Sequence, residues 1–146
     1  MQTEKEEALI SVFSLGDAMF GIDALEVQEV VRLTKLTPVH HADETISGII
    51  NLRGQIVTVI DLAKRVGLEG GERLHILIVR WGGEYIGLQV DSVTDVVAAE
   101  MDDLEPAPAN VSPEQQKFFK GVCQANRRLV AVLDLEAVLA EGNDEA

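Results

Sequence analysis

Two stretches of the chain repeat in the same order. Residues 16–31 (GDAMFGIDALEVQEVV) align without gaps on residues 82–97 (GGEYIGLQVDSVTDVV), placing Gly16 on Gly82, Gly21 on Gly87, Val27 on Val93 and Glu29 on Asp95. Residues 48–62 (GIINLRGQIVTVIDL) align likewise on 121–135 (GVCQANRRLVAVLDL), repeating Gly48, Val57, Val59, Asp61 and Leu62. The first offset is 66 and the second 73, so the second half carries seven extra residues between Val97 and Gly121, where the acidic, Pro-rich segment MDDLEPAPAN runs. A serial duplication restricts the fold to two copies of one supersecondary unit. The units, at roughly 10–67 and 74–135, are about sixty residues each, a size that buries only a modest core alone, so they are expected to share one core within a single domain, 1–146. A groove at such a junction is a natural binding site.

The apolar residues fall in short, β-branched runs at 9–15, 19–22, 27–33, 46–52, 55–60, 74–81, 85–90, 93–99 and 128–133. Turn signals separate them at Gly16-Asp17, Arg53-Gly54, Gly70-Gly71 and Gly82-Gly83, the two Gly-Gly pairs reading as hairpin turns. Closely spaced strands with tight turns predict a mainly β fold of small barrels or sandwiches. Helices are few and brief. Asp61 caps a short one ending at Gly67, Ser112-Pro113-Glu114-Gln115 reads as a capping box with Pro at the first helical position, and Asp134 caps a C-terminal helix ending at Gly142.

Charge narrows the partners. Twelve Lys and Arg against twenty-five Asp and Glu leave a net charge of -13, a field that repels phosphate backbones and anionic headgroups. Nucleic acid and membrane surfaces are therefore not expected partners. The acidic residues gather in the tails, 1–7 and 142–146, and at 100–105, as solvated flexible segments do. A single cysteine, Cys123, excludes an intrachain disulfide and a two-cysteine zinc site. The start, MQTEKEEALI, lacks a basic segment followed by an apolar run, and no apolar stretch approaches the ~18 residues of a membrane span, so a cytosolic protein is expected.

The repeat also sorts candidate functional residues. Positions kept in both halves are explained by the fold: glycines by backbone angles or close approach, Asp61 and Asp134 as helix caps. Positions that differ are better candidates. Arg53 is the sharpest, a turn residue between two apolar strands whose counterpart is Asn126, and its guanidinium suits carboxylates and carbonyl groups. His40 and His41 are adjacent and point to opposite faces of an extended chain, and His75 begins an apolar strand, so they do not assemble a metal site. Cys123 reads as a small buried hydrophobe, and Trp81 with Tyr85 as a cross-strand pair. No catalytic constellation or cofactor motif accompanies them, which favours binding over catalysis.

Taken in series, FSLGDAMFGIDALEVQEVV, SGIINLRGQIVTVIDL, IGLQVDSVTDVV and LVAVLDLEAVL resemble the CheW family of bacterial chemotaxis coupling proteins, over about residues 9–140. The resemblance implies two intertwined SH3-like five-stranded barrels. It implies a non-catalytic, cytoplasmic adaptor without cofactor or metal, a monomer alone and part of membrane-associated arrays when coupled. The implied partners are the cytoplasmic tips of methyl-accepting chemoreceptors and the regulatory domain of the histidine kinase CheA. Carried over by position, it places Val27, Glu29, Gly48, Arg53, Gly87 and Val93 along a receptor-binding groove. It offers Leu104, Pro106, Pro108 and Asn110 of the extra segment to the kinase. CheW-like domains also serve type IV pilus, gliding and surface-sensing pathways. Two other readings stand beside the adaptor: a kinase-array scaffold without receptor contact, and a small ligand-binding barrel or enzyme using His40, His41 or His75. No receiver domain follows, which argues against a CheV-type fusion.

Overall fold

The computed structural model describes residues 7–40, 43–68, 71–106, 112–125 and 127–141. Gly70, His41, Pro108, Asn110, Asn126 and both tails, 1–6 and 142–146, lie outside these described residues. The strands are β1 (Glu7–Leu15), β2 (Ala18–Asp23), β3 (Val27–Arg32), β4 (Ile46–Leu52), β5 (Gln55–Asp61), β6 (His75–Trp81), β7 (Glu84–Val90), β8 (Ser92–Glu100), β9 (Phe119–Ala125) and β10 (Arg128–Leu133). They form two five-stranded barrels. Barrel A has the order β8-β1-β2-β10-β9 and barrel B the order β3-β6-β7-β5-β4.

The repeat units are therefore not the barrels. The residues alone suggested that each unit, 10–67 and 74–135, forms one β subdomain. Instead each barrel takes two strands from one unit and three from the other, and the units cross between barrels at the 3-10 turn Ala24–Glu26 and at Asp91. Strands of different units meet in four pairs, of which β2–β10 and β5–β7 are parallel and β1–β8 and β3–β6 antiparallel, while hairpin neighbours within a unit are antiparallel. The exchange makes the halves interdependent, because neither barrel closes without strands of both.

This explains why the strands are apolar on both faces. In β1, Ile10 and Val12 point into barrel A while Phe13 and Leu15 point to a core shared between the barrels. In β6, Ile76 and Ile78 fill barrel B while Leu77 and Val79 join the shared core. The same division runs through β5 and β10, where Val57 and Val59, or Val130 and Val132, face a barrel interior and Ile60 or Leu133 the junction. Strands buried on both sides read as near-continuous hydrophobic runs rather than alternating ones. Crowding leaves no space for a side chain at Gly21 or Gly87: a Cβ there would stand 2.3 Å from Ile10 Cγ2 or 2.7 Å from Ile76 Cγ2.

Short helices close the shared core. α1 (Leu62–Arg65) starts at Asp61, whose carboxylate accepts from Lys64 N at 3.2 Å, and α3 (Leu135–Glu141) follows Asp134, which accepts from Ala137 N at 3.3 Å. They bury Leu62, Ala63, Leu135, Val138 and Leu139 against it. In α2 (Pro113–Gln116) Ser112 caps Gln115 N as expected, but the Gln115 amide does not return to Ser112; it donates to Val66 O and Gly67 O at 3.1 and 3.2 Å, tying the extra segment to the end of α1.

Two turn expectations change. Gly82 and Gly83, with φ of 63° and 81°, make the β6–β7 hairpin, and this two-residue turn sets Trp81 opposite Glu84 and Tyr85 opposite Arg80. Trp81 and Tyr85 are thus not a cross-strand pair: successive positions project to opposite faces, Trp81 against the shared core and Tyr85 against the barrel B interior, with Arg80 5.5 Å from the Tyr85 ring centre. Gly71 lies in the connection from α1 to β6, which joins a helix to a strand, so Gly71 is not in a β-hairpin turn.

Candidate functional site

The β4–β5 hairpin holds Arg53 out from barrel B. Its two central residues, Arg53 and Gly54, are both left-handed, at φ 50° and 89°, as a two-residue turn between right-twisted strands requires. Asn51 Oδ1 accepts from Gly54 N at 2.8 Å and braces the loop. A left-handed arginine is uncommon, and such outliers gather where a side chain must be aimed. The second hairpin, β9–β10, aims an arginine too, one position later: Arg127, at φ 64°, stands where the first hairpin has Gly54.

Arg53 is paired. Its Nη1 donates to Glu29 Oε2 at 3.0 Å and its Nη2 to Glu29 Oε1, a two-pronged contact between the hairpin and β3. The partners are 24 residues apart in sequence, and the Arg53 side chain is 69% exposed, that of Glu29 32%. The bonds from Arg53 hold the Glu29 carboxyl below the usual carboxylate range, and Glu29 in turn raises the guanidinium. The contact leaves the fork of Arg53 beside an acidic group while its outer edge faces solvent.

The other four candidates divide. Val27 and Val93 occupy repeat-related positions in β3 and β8, and both are half-buried against the shared core. Gly48 and Gly87 are buried: a Cβ at Gly48 would lie 2.3 Å from Thr37 O, and Gly87 admits Ile76. These two glycines act by allowing backbones to approach. At the junction, along the parallel seam of β2 and β10, a groove of about 570 Å3 is lined by Met19, Phe20, Val66, Phe119 and Leu129, with Arg127 and Arg128 at its rim. None of the six candidates lines this groove. The hollow at the related seam of barrel B is smaller, about 400 Å3, and Trp81 and Leu139 are among the residues that line it.

In the extra segment, Leu104 is half-buried and packs against the barrel A interior, where its Cβ would stand 2.7 Å from one added at Gly121. Pro106 is exposed beside a hollow with Glu105 and Leu129; Pro108 and Asn110 lie outside the described residues. Two residues not singled out from sequence are Ile56 and Leu129, 64% and 60% exposed, which follow the two arginine-bearing hairpins at equivalent positions. The signal was present, an outward apolar residue kept in both halves.

The histidines and cysteine have ordinary surroundings. His75 is half-buried with Nδ1 3.2 Å from Asp91 O, and His40 is exposed. Cys123 is half-buried rather than buried, and this raises its thiol above the usual range. Among the described residues no group of His, Cys, Asp and Glu could hold a metal ion, and no helix is long and apolar enough to cross a membrane.

Residues 10–143 match the model of the CheW-like domain. The chain belongs to this family. The chemotaxis protein CheW of Klebsiella aerogenes is 30% identical over 142 residues, covering 95% of this chain and 84% of that protein. A probable chemotaxis protein CheW of Rhizobium etli is 30% identical over 137 residues, covering 92% and 88%. The crystal structure of the scaffolding protein TtCheW from Thermoanaerobacter tengcongensis superposes with a TM-score of 0.77 at 34% identity, covering 88% of this chain and 90% of that one. CheW-like membership identifies a chemotaxis scaffold or adaptor family, and the two barrels are its fold.

Proposed function

We propose that this chain is a non-catalytic adaptor that couples methyl-accepting chemoreceptors to a CheA-type histidine kinase, in the cytoplasm and recruited to membrane-associated receptor arrays. The observation that carries the reading is the Arg53–Glu29 pair, set on an exposed hairpin of a CheW-like domain that spans residues 10–143. Arg53 offers multidentate donors to a receptor segment, Glu29 fixes their direction, and Val27 and Val93 supply apolar surface near the barrel junction. Gly48 and Gly87 serve the same region by holding the strands close. The kinase regulatory domain docks on barrel-end surface that includes Pro106 and the exposed edge of Leu104; Pro108 and Asn110, offered to the kinase by the family resemblance, lie outside the described residues. Coupling then follows from differential packing: a receptor state that changes how adaptor and kinase fit together shifts the kinase equilibrium.

The test is binding of the purified chain to receptor cytoplasmic fragments and to the kinase regulatory domain, with Arg53→Glu compared against the parent. Receptor binding should fall at least about tenfold, as when a charge-assisted contact is replaced by repulsion, while kinase binding is kept. Unchanged receptor binding by the folded variant would remove Arg53 from the site. Retention of the kinase with no receptor binding by the parent would favour a kinase-array scaffold.

A further inference from the structure

The repeat relates the two junction seams residue by residue, yet it fills them differently. At the offset of 66, Ala18 and Phe20 of the barrel A groove stand where the barrel B hollow has Glu84 and Ile86. At the offset of 73, Phe119 stands for Ile46, and Val66 for Leu139. The small Ala18 leaves an aromatic floor open in the larger groove. Phe119 stacks on Phe20 with ring centres 6.2 Å apart, and Phe20 stacks on Phe13 of the shared core at 6.3 Å. The rims differ as well: Arg127 and Arg128 stand where the first hairpin has Gly54 and Gln55. Both are exposed, and among the described residues neither makes an ion pair or a side-chain hydrogen bond, whereas Arg53 is committed to Glu29. Asp17 is the acidic residue on this lining, so the rim is net positive on a chain whose net charge is -13.

We propose that the barrel A groove binds a small amphipathic anion, an aliphatic or aromatic body that ends in one carboxylate. A concave, mainly apolar site of about 570 Å3 with a few polar groups at one end has the size and composition of a small-ligand pocket. The apolar body leaves water for Met19, Phe20 and Phe119, and the carboxylate meets Arg127 and Arg128, whose planar forks suit it. Neither arginine has an internal partner to give up, and the left-handed backbone at Arg127, φ 64°, fixes where the first of them starts. A cationic head would be repelled at the same place. Barrel B supplies the contrast: Glu84 replaces Ala18, and Arg65, on the lining of its hollow, is buried and already donates to Thr45 Oγ1 and Val138 O. The groove includes none of the six positions offered to the receptor, nor Leu104 or Pro106. Ligand binding therefore does not rest on the adaptor reading and is measured on the chain alone.

Titration of decanoate into the isotope-labelled full chain, followed by the amide NMR spectrum, reads affinity and location together. Decanoate should bind saturably with a dissociation constant of about 0.1–1 mM, the range open to so small a ligand, and should shift chiefly the amides of Ala18, Phe20, Phe119 and Arg128. Decyltrimethylammonium, the same tail with a cationic head, should bind at these amides at least about tenfold more weakly. Arg127→Gly with Arg128→Gln gives the second hairpin the residues of the first, and glycine suits the left-handed turn. This double variant should bind decanoate at least about tenfold more weakly than the parent, as when a charge-assisted contact is lost. Ala18→Glu, an exposed change that installs the barrel B residue, should have the same effect. No saturation by about 5 mM, shifts centred elsewhere, a cationic probe that binds the parent groove as well as decanoate, or undiminished binding by the double variant overturns the proposal. Should the double variant fail to fold, Ala18→Glu is read in its place, and undiminished decanoate binding by it would count against the site in the same way.

Discussion

Barrel A and barrel B are built from the same repeat, and what they keep differs in kind from what they change. Both keep a glycine where a barrel interior admits a neighbouring isoleucine, a glycine where a bridge backbone crosses, and an aspartate that caps the following helix. They change the hairpin arginine, the residues that line the junction seam, and the charge on the end face. The first set lies where backbones or buried atoms meet, and the second where side chains reach solvent. Duplication thus acts as an internal control: a feature required by the barrel recurs, and one that serves a partner is free to diverge.

The strongest way to break that division is at the crossing glycines. A Cβ at Gly48 would lie 2.3 Å from Thr37 O, a backbone atom that cannot turn away, at a φ of 153°; at Gly121, with φ 155°, it would lie 2.7 Å from Leu104 Cβ and 2.8 Å from Glu105 O. Gly48→Ala should lower stability by about 3 kcal/mol and Gly121→Ala by about 2, from overpacking at a strained backbone position. Urea unfolding with a common slope measures both. If Gly48→Ala keeps full stability yet loses receptor binding, this glycine belongs with the functional set and the division fails there.

A smaller effect sharpens the comparison between the two capping aspartates. Asp134 caps α3, whereas Asp61 caps α1 and also receives Arg73 Nε at 3.0 Å, with side-chain exposures of 11% and 19%. Asp134→Ala should cost about 1 kcal/mol, the worth of a cap. Asp61→Ala should cost about 2–3 kcal/mol, because Arg73 is left half-buried without this carboxylate, although Asp91 remains 3.9 Å away. A double variant of Asp61→Ala with Arg73→Ala, compared with each single change, isolates the pair. Equal costs at Asp61 and Asp134 would show that the added ion pair contributes nothing and that the two barrels are equivalent here.

Much of this was legible in the residues, and the reason is locality. Asp61, Ser112 and Asp134 reveal their helices because a cap is chemistry over three residues, and Gly82-Gly83 reveals its turn for the same reason. The exchange of strands between units was not legible from the repeat, since the near-continuous apolar runs of β1 and β6 report burial on both faces and not which strand lies beside them. Register was lost at the same scale: Trp81 and Tyr85 flank one hairpin, but a one-residue step sends them to opposite faces. At the candidate site Arg53 and Glu29 each stood out, the first by its divergence and both by the family resemblance. Their pairing depended on the β4–β5 turn reaching back to β3, a contact that sequence spacing does not contain. Ile56 and Leu129 show the converse, a signal present in both halves whose meaning needed surface exposure.

The smallest effect on stability, and the finest test of the difference between the hairpins, is at Arg53. Because the Arg53–Glu29 pair is open to solvent, Arg53→Ala should leave the urea midpoint essentially unmoved. Its signature is in titration. Glu29 is held below the usual carboxylate range first by the bond from Arg53, so in the parent its stabilising contribution is complete above the unfolded-state pKa and is lost as pH falls through the lowered folded-state value. In Arg53→Ala the Glu29 carboxyl should titrate at higher pH, back toward an ordinary glutamate. Carbon-detected NMR of the labelled Glu29 carboxyl, followed across the acid range in parent and variant, reads this directly. An unchanged Glu29 titration would mean that the guanidinium is not held in solution, and the first hairpin would then differ from the second in backbone placement alone.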